Sequence, residues 1–364
     1  MRIILLLVFI CSYLSLSFAQ EVNNKGRISG YMFGDYFYNA ARDTSITSLP
    51  NVANGGAKDL RGFQLRRIYF TYDYDISESF STRFRLEADQ SANTSNNKIG
   101  VFVKDAYIQW KNIFDGSNLI FGIHPTPAYE ISEGIWGNRF LEKTIMDLRG
   151  IVSSRDLGAS LKGNLNDGGT FKYWLMVGNN SGNVPEVDKY NRIYAHIQYS
   201  PIKQFTATAY ADLKFRPDIN DPASTSTPPA TLSNNDLTYA LFLGYKEKEA
   251  YTIGVEGYLT TRQNGNVSGT EVTDKSGIGI SAFGSYNFTT AFAVVGRYDY
   301  FDPNSGGDYK GDSRNWFIFS LNYKPDEKVT ISPNVIVETY ESLENGRSID
   351  PSITPRITLF YAFL

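Results

Sequence analysis

The chain has 364 residues, a formal charge of −3 and 15% aromatic residues, including 25 Tyr and 24 Phe, with 42% apolar and 20% charged residues. Such aromatic content excludes a disordered chain, the lack of a basic excess argues against nucleic acid as a partner, and a lone cysteine excludes a disulfide scaffold. A mean hydropathy of −0.29 and apolar runs as short as Ala291 to Val295 leave no helical membrane span beyond the leader.

Met1-Arg2, an apolar stretch from Ile3 to Leu16 and then Ser17-Phe18-Ala19 carry the pattern of a secretory signal peptide over residues 1–19, cleaved before Gln20. Cys11 leaves with it. The remaining 20–364 reads as one domain. Clusters of Gly, Asn, Asp and Pro punctuate it every ten to twenty residues, and between them lie period-two segments rich in Tyr, Phe, Val, Ile and Thr, the pattern of consecutive antiparallel strands. In chain order the segments are 26–39, 62–76, 79–90, 99–110, 117–124, 154–165, 170–178, 191–200, 203–216, 236–246, 249–261, 276–287, 290–302, 314–324, 327–340 and 352–364.

Connections alternate in length. Short ones fall at Ser77-Glu78, Asn166 to Gly169, Pro201-Ile202, Glu247-Lys248, Phe288-Thr289 and Pro325-Asp326; long polar ones run over Ala41 to Leu60, Pro217 to Asn235, Gln263 to Lys275, Pro303 to Ser313 and Glu341 to Pro351. Short turns at one end and long loops at the other are the habit of membrane barrels. The expected fold is therefore all-β, a transmembrane antiparallel barrel of about sixteen strands with both termini at the short-turn end.

Within segments the two faces differ. Phe80, Phe84, Leu86 and Ala88 oppose Arg83, Arg85, Glu87 and Asp89; Ile193, Ala195, Ile197 and Tyr199 oppose Arg192, Tyr194, His196 and Gln198; Phe292, Val294, Tyr298 and Tyr300 oppose Arg297 and Asp299. Alternation alone fits a soluble barrel too. Tyr72, Tyr74, Trp110, Tyr199, Tyr245, Tyr286 and Tyr323 next to the short turns favour the membrane, where aromatics mark the interface. The last segment, with Ile357, Leu359, Tyr361 and Phe363 on one face, reads as the closing strand.

Two groups of residues are candidates for function. The connection 125–153 holds Trp136, Phe140, Ile145, Met146 and Leu148, which need something to pack on. Folded into the barrel, it would rest them on the wall and turn Glu130, Glu133, Arg139, Glu142, Lys143, Asp147 and Arg149 toward water as a constriction loop. The alternative is a short amphipathic helix capping the mouth. The second group is the charged inner face: Arg67, Arg83, Arg85, Glu87, Asp105, Lys162, Arg192, Glu256, Arg297 and Asp299, with Asp89 beside them. Opposed charges across a narrow pore bias ion passage because low-dielectric walls focus the field.

Four stretches carry a family likeness: Phe63-Gln64-Leu65-Arg66-Arg67 running into Tyr69 and Tyr72; Gly122-Ile123-His124-Pro125 through Glu130, then Phe140-Leu141-Glu142-Lys143; Arg155-Asp156-Leu157-Gly158; and Arg297-Tyr298-Asp299 with Leu321-Asn322-Tyr323. Together they resemble the phosphate-selective outer-membrane porins, the porin O and P family in its broad sense. That resemblance implies a sixteen-stranded channel, a third extracellular loop folded into the lumen and a homotrimer in the outer membrane of a Gram-negative-type bacterium. Implied partners are outer-membrane lipids, lipopolysaccharide and the barrel-assembly machinery, engaged through the C-terminal strand. The family's arginine ladder does not align here, and His124 and Lys143 stand where Lys and Arg are expected, so the expectation is weak anion preference short of phosphate specificity.

No G-x-S-x-G elbow, P-loop or H-E-x-x-H is present, and neither an enzyme nor a cofactor is expected. A passive channel for small hydrophilic solutes and ions is the leading function. A barrel whose outer loops serve adhesion or structural attachment is the competing one.

Overall fold

A computed structural model describes residues 26–46, 56–93, 96, 98–306 and 311–364. The expected signal peptide lies outside the described residues. Strands β1 (Gly26–Tyr38), β2 (Arg61–Asp75), β3 (Phe80–Asn93), β4 (Ile99–Phe114), β5 (Ser117–Pro125), β6 (Arg155–Asn164), β7 (Phe171–Gly178), β8 (Arg192–Tyr199) and β9 (Phe205–Lys214) form the first part of the sheet. A two-residue hairpin, β10 (Ile219–Asn220) and β11 (Thr231–Leu232), stands apart in the loop that follows. The sheet resumes with β12 (Asp236–Glu247), β13 (Tyr251–Ser268), β14 (Glu271–Asn287), β15 (Phe292–Asp302), β16 (Arg314–Asp326), β17 (Val329–Tyr340) and β18 (Ser352–Ala362). Each strand pairs antiparallel with its chain neighbours and β1 pairs with β18, from Tyr31 opposite Ala362 to Phe37 opposite Arg356, so sixteen strands close into one barrel. Closure leaves no sheet edge, the condition for strands to cross a bilayer.

Strand positions agree with the sequence reading, with one correction at a hairpin tip. The stretch Gln263 to Lys275, expected as a loop, is mostly paired: β13 and β14 continue to Ser268 opposite Glu271 after a register shift between Arg262 and Asn266. Gly269, at φ +60°, makes the turn, a conformation glycine adopts without steric cost. Both β1 and β18 have their outer ends at the short-turn side, since Gly26 lies opposite Tyr74 and the Ala362 N–H donates to the Lys328 carbonyl.

One face of the strands is apolar and bare. Phe84, Ile193, Ile197, Leu241, Leu243, Val255, Leu259, Phe319, Leu321, Ile357 and Leu359 are all exposed there. No helix among the described residues is long and apolar enough to cross a membrane; the strands provide the apolar surface. Ringing the short-turn end are aromatic pairs, each with at least one exposed ring: Tyr72 with Tyr74, Phe80 with Trp110, Phe171 with Tyr199, Tyr286 with Phe288, and Phe292 with Tyr323 at 4.8 Å between centroids. An amphipathic ring suits the water–lipid boundary, so this is a transmembrane barrel with an interfacial girdle.

Candidate channel interior

The inner face is not uniformly polar. On β7 to β17 it carries Met176, Tyr194, Tyr210, Phe242, Tyr258, Phe283, Val295, Phe301, Trp316, Ile318 and Ile336, all buried. Alternation predicts which face these residues occupy but not that they are covered. What covers them is the connection 126–154, which contains two short helices, α1 (Glu130–Trp136) and α2 (Ile145–Leu148). Gly137 ends α1 at φ +65°, its N–H donating to the Glu133 carbonyl, a left-handed cap of the kind glycine favours. Ala128, Tyr129, Ile145, Met146 and Val152 pack with Met176, Tyr194, Tyr210 and Tyr258. Trp136 and Leu141 pack with Phe242, Phe283, Trp316 and Ile336, Trp136 meeting the Phe283 ring edge-on at 5.0 Å.

Polar contacts tie the same segment to strands far apart around the ring. Ser132 Oγ donates to Glu256 Oε1 of β13 at 3.1 Å, and Arg297 of β15 donates to the Lys143 carbonyl. Asn322 of β16 donates to Asn138 at 3.1 Å, and Arg149 pairs with Glu338 of β17 at 2.9 Å. The Leu141 carbonyl accepts from Arg66 of β2 at 2.7 Å and from Arg356 of β18 at 2.9 Å. Glu142 sits between those two guanidiniums, 3.1 Å from Arg66 and 3.8 Å from Arg356.

These contacts correct several sequence expectations. Glu142 and Arg149, expected to face water, are buried, because each is consumed in an ion pair with the wall. Glu256, Arg297 and Asp299 lie on the inner face as expected but are buried under the connection, with Arg297 Nε donating to Asp299 at 2.8 Å and its guanidinium stacked near Trp136 and Trp316. Arg192 is buried too, paired with Asp212 at 2.8 Å. Of the remaining loop charges, Glu130 is exposed, while Glu133, Arg139, Lys143 and Asp147 are partly exposed and bonded to one another: Arg139 to Glu133 at 3.0 Å and to Asp147 at 3.4 Å, Lys143 to Asp147 at 3.6 Å.

The opposite arc, β2 to β6, keeps partly exposed cations. Arg67 pairs with Glu87 at 2.9 Å and also with Asp89; Arg83 with Asp73 at 2.6 Å; Arg85 with Asp105 at 3.3 Å. Glu87 and Asp105 themselves are buried by these partners and by Lys104 and Arg155. Two of these residues, Arg66 and Lys104, were missed by period-two reading. Register shifts in β1–β2 and β3–β4, where Arg66 and Lys104 are the residues skipped by the pairing, place neighbours Arg66 and Arg67, and likewise Lys104 and Asp105, on the same face. A bulge does this by inserting one residue into the pleat.

Burial alone would raise the Glu142 carboxyl, but the Arg66 and Arg356 guanidiniums and the Lys143 backbone N–H outweigh it and hold it at about 2. A depressed carboxylate stabilises the folded arrangement fully above its unfolded value of ~4.3 and progressively less as the pH falls through about 2. The anchor should therefore persist through mildly acidic solution and release only near pH 2. Protease access to 139–150 measured against pH checks this; release already at pH 4 to 5 would place the guanidiniums away from Glu142.

No family model matches the sequence, and no curated protein matches it. Solved structures do. The chain is similar to the outer membrane channel DcaP of Acinetobacter baumannii, at 11% identity and TM-score 0.66, over 93% of this chain and 97% of that one. It is similar to an anion-selective porin from Comamonas acidovorans, at 10% identity and TM-score 0.62, over 93% and 99%. Pseudomonas putida OprB gives 8% identity and TM-score 0.62, over 94% and 95%. At such identities the likeness is one of architecture: the chain has the fold of outer-membrane porin channels.

Proposed function

We propose that this protein is an outer-membrane porin, a water-filled channel for passive diffusion of small hydrophilic solutes and ions with weak anion preference. The observation that carries the reading is the asymmetry of the barrel interior. Residues 125–153 rest their apolar side on β7 to β17 and leave the cationic arc of β2 to β6 partly exposed, which is how an inward third loop narrows a pore without filling it. On this reading the carboxylates of Glu130 and Glu133 lie across the passage from Arg67, Arg83, Arg85 and Lys162 and set up a transverse field with a modest net sign. One neighbour is described as anion-selective, in keeping with that sign.

The rest of the assignment follows from the same reading. Residues 1–19 are the export signal to the outer membrane of a Gram-negative-type bacterium. Outer-membrane lipids and lipopolysaccharide bathe the apolar face, and the C-terminal strand engages the barrel-assembly machinery. The functional unit is a homotrimer; an outer membrane protein of Vibrio cholerae with this fold has been solved in a trimer form. No reaction is assigned. His124 and Ser160 are within hydrogen-bond distance of each other, but both are sealed from solvent, and a nucleophile must meet its substrate.

Planar-bilayer recording of the purified protein tests the proposal: discrete conductance steps and a small anion-side reversal potential in a salt gradient are expected, and the absence of steps from inserted barrels would favour an adhesive or structural role. Neutralising Arg83→Gln together with Arg85→Gln leaves Asp73 and Asp105 short of partners, so the reversal potential should move toward cations. An unmoved potential would put both side chains outside the conducting path.

A further inference from the structure

This inference rests on the porin reading and concerns which group gives the passage its sign. Along β2 to β6 the arginines are matched with carboxylates. Arg67 has Glu87, Arg83 has Asp73, and Arg85 and Arg155 share Asp105, while Lys104 holds the other side of Glu87. A close ion pair presents a dipole to a passing ion, and its field decays faster than that of a single charge. Forks of guanidinium donors that could grip a phosphate at two points are thus already occupied by carboxylates.

Lys162 on β6 differs from them. It is half-buried and forms no ion pair among the described residues; its Nζ lies 4.5 Å from the centroid of the Trp174 ring. An aromatic face stabilises a partly desolvated ammonium without cancelling its charge. That ring is held by a chain of polar contacts. Trp174 Nε1 donates to Ser160 Oγ at 2.9 Å, and Ser160 meets His124 Nε2 at 2.5 Å. His124 Nδ1 reaches the Gly122 carbonyl at 2.8 Å, and since a carbonyl only accepts, Nδ1 carries the proton and Nε2 accepts from the serine. Gly122 supplies that carbonyl from φ +126°, where a Cβ would come 2.2 Å from the Ala106 carbonyl oxygen. Lys162 shares its face of β6 with the buried Ser160 and lies directly opposite the buried Trp174 of β7, so its ammonium is on the inner side of the barrel wall.

We propose that Lys162, seated on Trp174, is the selectivity-determining cation of the channel, favouring small monovalent anions such as chloride and short carboxylates. One ammonium is a point charge with no fork, so it attracts anions by sign and gives phosphate no multidentate site. By Coulomb's law a unit charge about 8 Å from the ion path in water raises the local anion concentration and lowers the local cation concentration by about two- to threefold each, so their ratio changes by about sixfold, and low ionic strength preserves that effect.

The test is reversal-potential measurement in a KCl gradient at low salt, on wild type, Lys162→Met and Lys162→Glu, followed by addition of inorganic phosphate to the wild type. Methionine keeps the stem over Trp174 and should lower the chloride-to-potassium permeability ratio by up to about sixfold; glutamate should turn the channel toward cations. Phosphate at low millimolar concentration should leave the chloride current unchanged. A wild type that conducts while both variants keep its reversal potential overturns the assignment and leaves the porin reading standing. Block of the chloride current by phosphate overturns it as well, by revealing a multidentate site. Inserted wild-type barrels that never conduct overturn both.

Discussion

Deleting Gly134 to Asp147 should raise single-channel conductance by roughly twofold or more, because a sixteen-stranded barrel without an internal segment leaves a wide aqueous lumen. The barrel itself should survive. Its ladder runs unbroken from β1 to β18 without any contribution from this segment. The deletion uncovers Phe242, Phe283, Trp316 and Ile318, now buried beneath Trp136 and Leu141, so some loss of thermal stability is expected alongside the gain in current. Unchanged conductance in folded, inserted barrels would place the segment outside the conducting path.

The second large effect is expected at Arg149. Its guanidinium and the Glu338 carboxylate are each 1% exposed and meet at 2.9 Å, with the Phe301 ring 5.0 Å from the guanidinium carbon. Replacing Arg149 by Met leaves Glu338 buried with Tyr340 Oη, at 3.1 Å, as a remaining donor. Breaking a buried pair on one side costs about 3–5 kcal/mol, whereas replacing both partners by apolar residues is often neutral. Arg149→Met should therefore free the 139–150 stretch to proteases and add noise to the open channel, and the further change Glu338→Leu should largely restore the wild-type record. Equal behaviour of the single and double variants would show that Glu338 is solvated when its partner is gone.

How far the interior can be read from sequence depends on whether its cause is local. The strands were legible because lipid outside and a polar, partly covered interior act on every second residue, as in Arg192 to Tyr199 or Phe80 to Asp89. Turn residues marked the ends for the same local reason. The apolar content of 125–153 pointed to packing, though not to its partners, since Trp136 finds Phe283 and Arg149 finds Glu338 only after the ring has formed. Arg66 and Lys104 were hidden because a bulge shifts the pleat by one residue without a composition signal. Burial of Glu256, Arg297 and Asp299 was hidden for a different reason. A charged residue on an inner face looks the same in sequence whether water or another segment lies above it.

The Leu141–Glu142 anchor bears on the order of assembly. Its cations come from β2 and from β18, and Asp35 of β1 lies beside both, 3.6 Å from Arg66 and 3.7 Å from Arg356. The anchor therefore straddles the seam where the first and last strands meet, a pairing that joins residues more than 300 positions apart, and contacts so distant in the chain are slow to form. Until that seam zips, Glu142 has at most half of its cationic cradle. Docking of the segment is thereby made a late event in folding, and a nascent barrel still open between β1 and β18 would carry 138–144 undocked, its apolar neighbours free to be captured elsewhere.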